Sequence, residues 1–375
     1  KEGGFRAFTL FIDISGFTAM TDRLMLQDKK GAEVLSRIIN AVFSPLIDAV
    51  YGANGFVVSF AGDAFTAVFP EALTTPAAVF AAASRMQATF RDSGVHKTAW
   101  EDFTLKAKIG LGEGEVTWQI FKFEEQAGYL FSGAAIEECA KAEHACRPGF
   151  IVYPSRSDFT QLAVDEPQPV AGTGFIQAAA DKAPARMSKS APPKAVTGTD
   201  LLRHFLPVDQ LPQSATGEFR TIISLFISYD EEKISPETVF NTIVSLGREK
   251  GAYLNLIDSG DKGGVQLVLF GAPQAFENRD RRALDFALEL AKALPDIRTG
   301  IAGGQAYTGF VGSPRRATYT ALGSVVNLSA RLAMAAEPGE ILVPGTLLRG
   351  SDEFALEKER SASFKGIAGE LTYGN

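Results

Sequence analysis

Apolar positions along this chain switch repeatedly between a spacing of two or fewer and a spacing of three to four. AFTLFIDI (7–14) is a near-continuous apolar, β-rich run that reads as a buried strand. GAEVLSRIINAVFSPLIDAVYGAN (31–54) sets its apolar residues at helical spacing and stops at a glycine and an asparagine. GFVVSFAGDAFTAVFP (55–70) has two strand-like runs about Ala61-Gly62-Asp63, a hairpin signal, and PAAVFAAASRMQATFRDSG (76–94) returns to helical spacing. The order is strand, helix, hairpin, helix, strand, then a strand leading into a helix. It predicts an α+β domain of ferredoxin-like type, with two helices on one face of a mostly antiparallel sheet.

The pattern occurs twice. LKAKIGLGEGEV (105–116) is echoed by DIRTGIAGGQAY (296–307), and the glycine of YLFSGAA by that of YTALGSVVN. Gly110 thus pairs with Gly300 and Gly133 with Gly323, each 190 positions apart. FTLFIDI likewise resembles TIISLFISY at a larger offset. Residues 177–200, rich in Ala, Pro, Ser and Lys, have linker composition. The expected division is a first domain over 1–176, a linker over 177–200 and a second domain over 201–375, with LLRHFLP (201–207) free to pack back onto a domain.

Composition narrows the partners. At 375 residues and 46% hydrophobic the chain can fill two cores, in line with the repeat. A net charge of −7 argues against a nucleic-acid or anionic-membrane partner, which a basic face would meet. No stretch of roughly 18 uninterrupted apolar residues predicts a membrane span. Cys139 and Cys146 have neither disulfide-framework nor zinc spacing, which suits a reducing, cytoplasmic setting. The expected form is a monomer, cut from a longer multidomain protein.

The chemistry-bearing residues are carboxylates in apolar surroundings. Asp13 ends a strand that should be buried, where an unpaired charge is costly. Asp63 sits at the tight hairpin turn, and a first strand lying beside that hairpin lets the two converge as a site for hard divalent cations. After Asp13, Ser15-Gly16-Phe17-Thr18 precedes a helix start whose free amides make an anion nest. Taken singly, Asp13 also reads as a helix cap and Asp63 as a turn residue. Asn327 and Arg331, four apart, share a helix face, and an amide with an arginine fork suits ribose and phosphate oxygens.

FIDISGFTAMT (11–21), FAGDAF (60–65) and YTALGSVVNLSARL (319–332) together resemble the class III nucleotidyl cyclases, above all the tandem catalytic domains of the bicarbonate-responsive soluble adenylyl cyclase group. The resemblance implies two ferredoxin-like cyclase domains forming a pseudo-symmetric intramolecular heterodimer. It implies Asp13, Asp63 and the Ile14 carbonyl as ligands of two Mg²⁺ or Mn²⁺ ions. Gly16, Phe17, Thr18 and Lys106 would hold phosphates, Asn327 the ribose and Arg331 the charge at the α-phosphate. Thr320 and Asn255 would face the base, and ATP would become 3′,5′-cyclic AMP and pyrophosphate.

The two halves are complementary under this resemblance. Asn327 and Arg331 correspond to Glu137 and Lys141, while Asp13 and Asp63 correspond to Ser228 and Gly264, so one active site and one degenerate pocket are expected. Two departures stand out. Asn255 replaces the lysine usual for adenine readers, and Lys262 lies too far along the turn to stand in. In the degenerate pocket Ser59 and Ala140, with Lys141 adjacent, replace the cations that take bicarbonate, which predicts weak or absent direct activation by that anion. The alternatives are a catalytically silent nucleotide-binding regulatory module and a cyclase of relaxed or guanine specificity.

Overall fold

The computed structural model describes residues 1–162, 167–179, 203–205, 217–260, 263–349, 353–362 and 371–374. The first domain contains β1 (Glu2–Ser15), α1 (Phe17–Met25), α2 (Asp28–Gly52), β2 (Phe56–Ala61), β3 (Ala64–Pro70) and α3 (Pro76–Ser93). A small hairpin, β4 (Val95–Lys97) with β5 (Asp102–Thr104), leads to β6 (Lys106–Phe123), β7 (Gln126–Ser132) and α4 (Ala134–His144). β8 (Phe150–Pro154), β9 (Gln168–Val170) and β10 (Phe175–Ala179) complete it. The second domain repeats the plan with β11 (Glu218–Tyr229), α5 (Pro236–Gly247), β12 (Tyr253–Gly260), β13 (Gly263–Phe270) and α6 (Arg279–Ala293). There follow β14 (Arg298–Ser313), β15 (Arg316–Leu322), α7 (Ser324–Ala335), β16 (Ile341–Pro344), β17 (Glu359–Ala362) and β18 (Leu371–Gly374).

The two sheets have the same order, β2-β3-β1-β6-β8-β10-β9 and β12-β13-β11-β14-β16-β18-β17, with β7 and β15 branching from β6 and β14. Both are antiparallel except where β6 meets β8 and β14 meets β16. Side chains alternate across a strand. Leu10, Ile12 and Ile14 therefore join Ile109 and Leu111 in the core covered by α1, α2 and α3. Asp13, opposite Lys108, points to the other face.

That other face holds α4, a layer the sequence pattern did not place. The strand is bare at Gly110, where a Cβ would strike the Cys139 carbonyl and the Glu143 amide of α4. Gly300 meets the Ser329 carbonyl and the Ala333 amide of α7 in the same way. The repeated glycines thus let a helix press directly on the central strand of each sheet.

The domains share an interface. Tyr307, Val311 and Leu322 lie in the same apolar cluster as α2, and the Ser36 and Tyr307 hydroxyls are 2.6 Å apart. Arg315 pairs with Asp48 at 3.1 Å, and Arg316 donates to the Tyr129 hydroxyl at 2.7 Å while stacking over Phe60. α2 is the one described helix long and apolar enough to cross a membrane, and its apolar face is buried in this cluster.

One boundary needs correction. Residues 177–179, expected to start the linker, pair with Phe150, Ile151 and Val152 and finish β10, because their backbone continues the antiparallel ladder beside β8. Residues 180–200 lie outside the described residues. From the following stretch, residues 203–205 return to the first domain: the Phe205 ring meets Tyr129, and His204 contacts the Glu125 carbonyl.

Candidate active site

The site forms where the end of β1, the β2–β3 turn and α7 of the other domain meet. β1 holds Asp13 in register with Ala64 at the start of β3, so the preceding turn residue, Asp63, is brought beside it. The β1–β3 ladder stops there, one residue before Ile14. Gly16 then takes φ +94°, and a Cβ on it would stand 2.9 Å from the Thr104 carbonyl, so only glycine fits this turn. α1 starts at once. Its first intrahelical bond runs from Met20 N–H to the Gly16 carbonyl, which leaves the preceding amides of Phe17, Thr18 and Ala19 at the positive end of the helix.

α7 supplies the opposite wall. Asp13, Thr18, Asp63, Asn327, Ala330, Arg331, Met334 and Ala335 line one open cleft of about 660 Å³. A chain of hydrogen bonds crosses it: Asn327 Nδ2 donates to Thr18 Oγ1 at 3.1 Å, and Thr18 Oγ1 donates to Asp63 Oδ2 at 3.4 Å. Arg331, half-buried one helical turn on, has no ion pair among the described residues.

Burial and proximity set the electrostatics of the carboxylate pair. Burial, then the nearby charge of Asp13, pushes the Asp63 carboxyl up to about 7, although Thr18 and Lys108 act in the opposite sense. Two carboxylates that resist ionising together are stabilised by a positive charge between them. Lys108 meets part of that demand, with its Nζ 3.2 Å from Asp13 Oδ2 and a second contact to Glu143. Burial opposes the charge on Lys108, but the hydrogen bond and charge of Glu143, with Asp13 behind them, outweigh it and raise the lysine. Burial also raises Glu143. The donor set fits a hard divalent ion, with Asp13 and Asp63 as its ligands and the Ile14 main chain adjacent. Among the described residues no group of three or more His, Cys, Asp or Glu side chains that could hold a metal ion is found, so this site offers two carboxylates alone.

Some expected residues lie apart from this cleft. Lys106 is exposed on β6 opposite Ser15 and does not line it. Lys108, on the same face, is the lysine that reaches Asp13. Asn255 occupies a bulge in β12, donates to the Tyr319 carbonyl at 2.7 Å and accepts from Thr320 Oγ1 at 2.9 Å. It lines a recess of about 90 Å³ with Phe60, Tyr129 and Arg316. Lys262 lies outside the described residues. Sequence reasoning missed Lys108 and Glu143. The two-residue spacing in LKAK offered either lysine, whereas Glu143 carried no local signal.

The pseudo-symmetric position differs throughout. Ser228 stands where Asp13 does, and Arg298, the counterpart of Lys108, reaches its hydroxyl at 3.3 Å. Lys141 pairs with Glu137 at 3.2 Å on its own helix. Asp258 on β12 is pushed up to about 7, first by burial and then by Glu231, with the Ser59 hydroxyl and Ser259 amide bonding to it.

No protein-family model matches the chain. Adenylate cyclase type 10 of Homo sapiens is 24% identical over 402 residues, covering 93% of this chain and 25% of that protein. The Mus musculus protein of the same name is 23% identical over 385 residues, covering 88% and 24%. The chain thus spans about a quarter of the length of the curated relatives it matches. Among solved structures, a class III adenylyl cyclase-like ATP-binding protein from Pseudomonas aeruginosa aligns with TM-score 0.61 at 12% identity, over 92% of this chain and 85% of that one. The chain is a sequence relative of adenylate cyclase type 10 and has the fold of two class III cyclase domains paired within one polypeptide.

Proposed function

We propose that this chain is an adenylyl cyclase that converts ATP into 3′,5′-cyclic AMP and pyrophosphate at the Asp13–Arg331 cleft. The observation that carries the reading is the assembly of Asp13, Asp63, Thr18, Asn327 and Arg331, from two domains, around one open cleft. Two divalent cations held by Asp13 and Asp63 would supply charge neutralisation and lower the barrier to ionising the ribose 3′-hydroxyl.

The remaining work falls to the protein. The amides of Phe17 and Thr18, at the positive end of α1, receive the β- and γ-phosphate oxygens. Asn327 presents an amide that can turn from Thr18 to the ribose and fix the sugar for in-line attack. Arg331, which has no carboxylate partner among the described residues, meets the charge that grows at the α-phosphate. No protein nucleophile is required, since the attacking oxygen belongs to the substrate. On the base side Asn255 and Thr320 keep donor and acceptor capacity after bonding to each other, which suits an adenine edge less selectively than a lysine does.

The test is to incubate the chain with ATP or GTP and with Mg²⁺ or Mn²⁺, and to separate the products. Cyclic AMP supports the reading. Cyclic GMP in excess reassigns the base, and absence of any cyclic nucleotide leaves the second reading, a nucleotide-binding regulatory module. The Asn255–Thr320 pair in the lysine's place favours that second reading.

A further inference from the structure

The helix that carries Asn327 and Arg331 begins without a cap of its own. α7 starts after Gly323, which has no side chain to accept from the first amides, and backbone bonds back to the Gly323 carbonyl begin only at Val326. The missing acceptor comes from the other domain. Asp22 Oδ1 accepts from the Ser324 amide at 3.3 Å, across 302 positions of sequence, and the Ser324 hydroxyl bonds to the same carboxylate.

Asp22 lies on α1, one turn beyond Thr18, and Thr18 is the residue that holds the Asn327 amide. One face of α1 therefore grips α7 at two points, Ser324 and Asn327. Met25, at the end of α1, lies 3.7 Å from where a Cβ on Gly323 would be, so the helices also touch beside that grip. The same helix α1 opens with the nest placed for phosphates. Its geometry thus sets the nest and the Asn327–Arg331 face relative to each other.

The pseudo-symmetric side lacks this device. α4 also starts after a glycine, Gly133, without a side-chain cap, but its first residue is Ala134 and the second domain has no helix between β11 and α5 in the place of α1. The cross-domain cap occurs on the side that holds Asp13.

From these contacts we infer that Asp22 is a positioning residue, which caps α7 from the opposite domain and so holds Asn327 and Arg331 at the distance the cleft requires. This rests on the proposed cyclase reading. The carboxylate does not line the cleft; it acts through the helix. Burial raises Asp22 while its two bonds to Ser324 act against that, as expected of a half-buried carboxylate engaged as an acceptor.

The experiment uses the whole chain with Asp22→Ala and Asp22→Asn, the second of which keeps an acceptor oxygen. With ATP and Mn²⁺, Asp22→Ala should lower kcat by about tenfold and leave KM within about twofold, because a lost cap misplaces groups that act in the transition state. Asp22→Asn should recover most of the loss. A wild-type kcat in Asp22→Ala, an increase in KM alone, or equal damage in Asp22→Asn would overturn the assignment.

Amide hydrogen exchange separates this from the cyclase reading. In Asp22→Ala the Ser324–Asn327 amides should exchange about tenfold faster, with the β11 core amides unchanged. That arm holds even if no cyclic nucleotide is made. Equal protection in wild type and Asp22→Ala would sink the capping contact itself.

Discussion

The two interface regions of this molecule share a sheet order, differ in that the second has no helix in the place of α1, and carry opposite chemistry. At one, Asp13, Lys108 and Glu143 form a charged row beside Asp63, facing Asn327 and Arg331. At the other, the matching positions are Ser228, Arg298 and Ala333, beside Gly264, with Glu137 and Lys141 at the positions that correspond to Asn327 and Arg331. The first row has two crowded carboxylates that share Lys108 and, among the described residues, an arginine without a carboxylate, so each is open to a ligand. In the second, Glu137 and Lys141 satisfy each other, and Arg298 takes a serine hydroxyl. The cleft charges, together with the α1 helix that only the first side has, separate the two regions.

The sharpest way to break the contrast is to remove one carboxylate. Asp13→Ala or Asp63→Ala should lower turnover by at least about 10³-fold, a loss of both charge and ion, while the melting temperature holds or rises because a crowded carboxylate has gone. Turnover within tenfold of wild type would disprove the metal assignment. Next in size is Arg331→Ala, with kcat down by about 10²-fold and KM nearly unchanged in steady-state kinetics, since its partner charge exists only in the transition state. A change confined to KM would move Arg331 to ground-state binding.

A third experiment tries to copy one region onto the other. Ser228→Asp with Gly264→Asp should leave cyclic-nucleotide yield per chain unchanged, because Glu137 and Lys141 still stand in the places of Asn327 and Arg331 and no helix stands in the place of α1. A second active site per chain, seen as doubled burst amplitude, would show that the carboxylates alone decide.

The smallest effect is on stability against pH. The folded Asp63 carboxyl titrates near 7 against 3.8 ordinarily, so between those values the folded chain holds a proton that the unfolded chain has lost. A carboxylate raised in this way contributes stability at low pH that is lost as pH rises through about 7. Without divalent ions the melting temperature should fall between about pH 4 and about pH 7 and level off above that, and Asp63→Asn should flatten part of the fall. Asp258, raised to about 7 in the other region, should account for a separate part, removable by Asp258→Asn. Added Mg²⁺ should cancel the Asp63 part alone; cancellation of both would place a cation in each region.

The duplicated α+β plan was legible because strand and helix spacing are local and the glycines at 110, 300, 133 and 323 repeat at one offset. Asp13, Asp63, Thr18, Asn327 and Arg331 were legible through their flanking motifs, and the structure brings them to one cleft. The choice between Lys106 and Lys108 was not, since register against β1 decides which lysine stands opposite Asp13. Asn255 was read as a base reader; its side chain bonds first to Thr320 and Tyr319, which adjacency along β12 does not disclose. The start of the linker was misplaced by three residues because Gln177, Ala178 and Ala179 resemble linker in composition but have partners on β8.

Local spacing and motif, then, determined the two domains, their order and the identity of the acidic pair. Tertiary structure alone decided that Glu143 holds Lys108 against Asp13, that Asp22 caps a helix 302 positions away, and that α4 and α7 each cover the other face of their own sheet's central strand. The reason is physical. Periodicity records which face of an element is buried, whereas charge pairing and capping depend on which distant element arrives there. That arrival is fixed only when both sheets close on their shared interface.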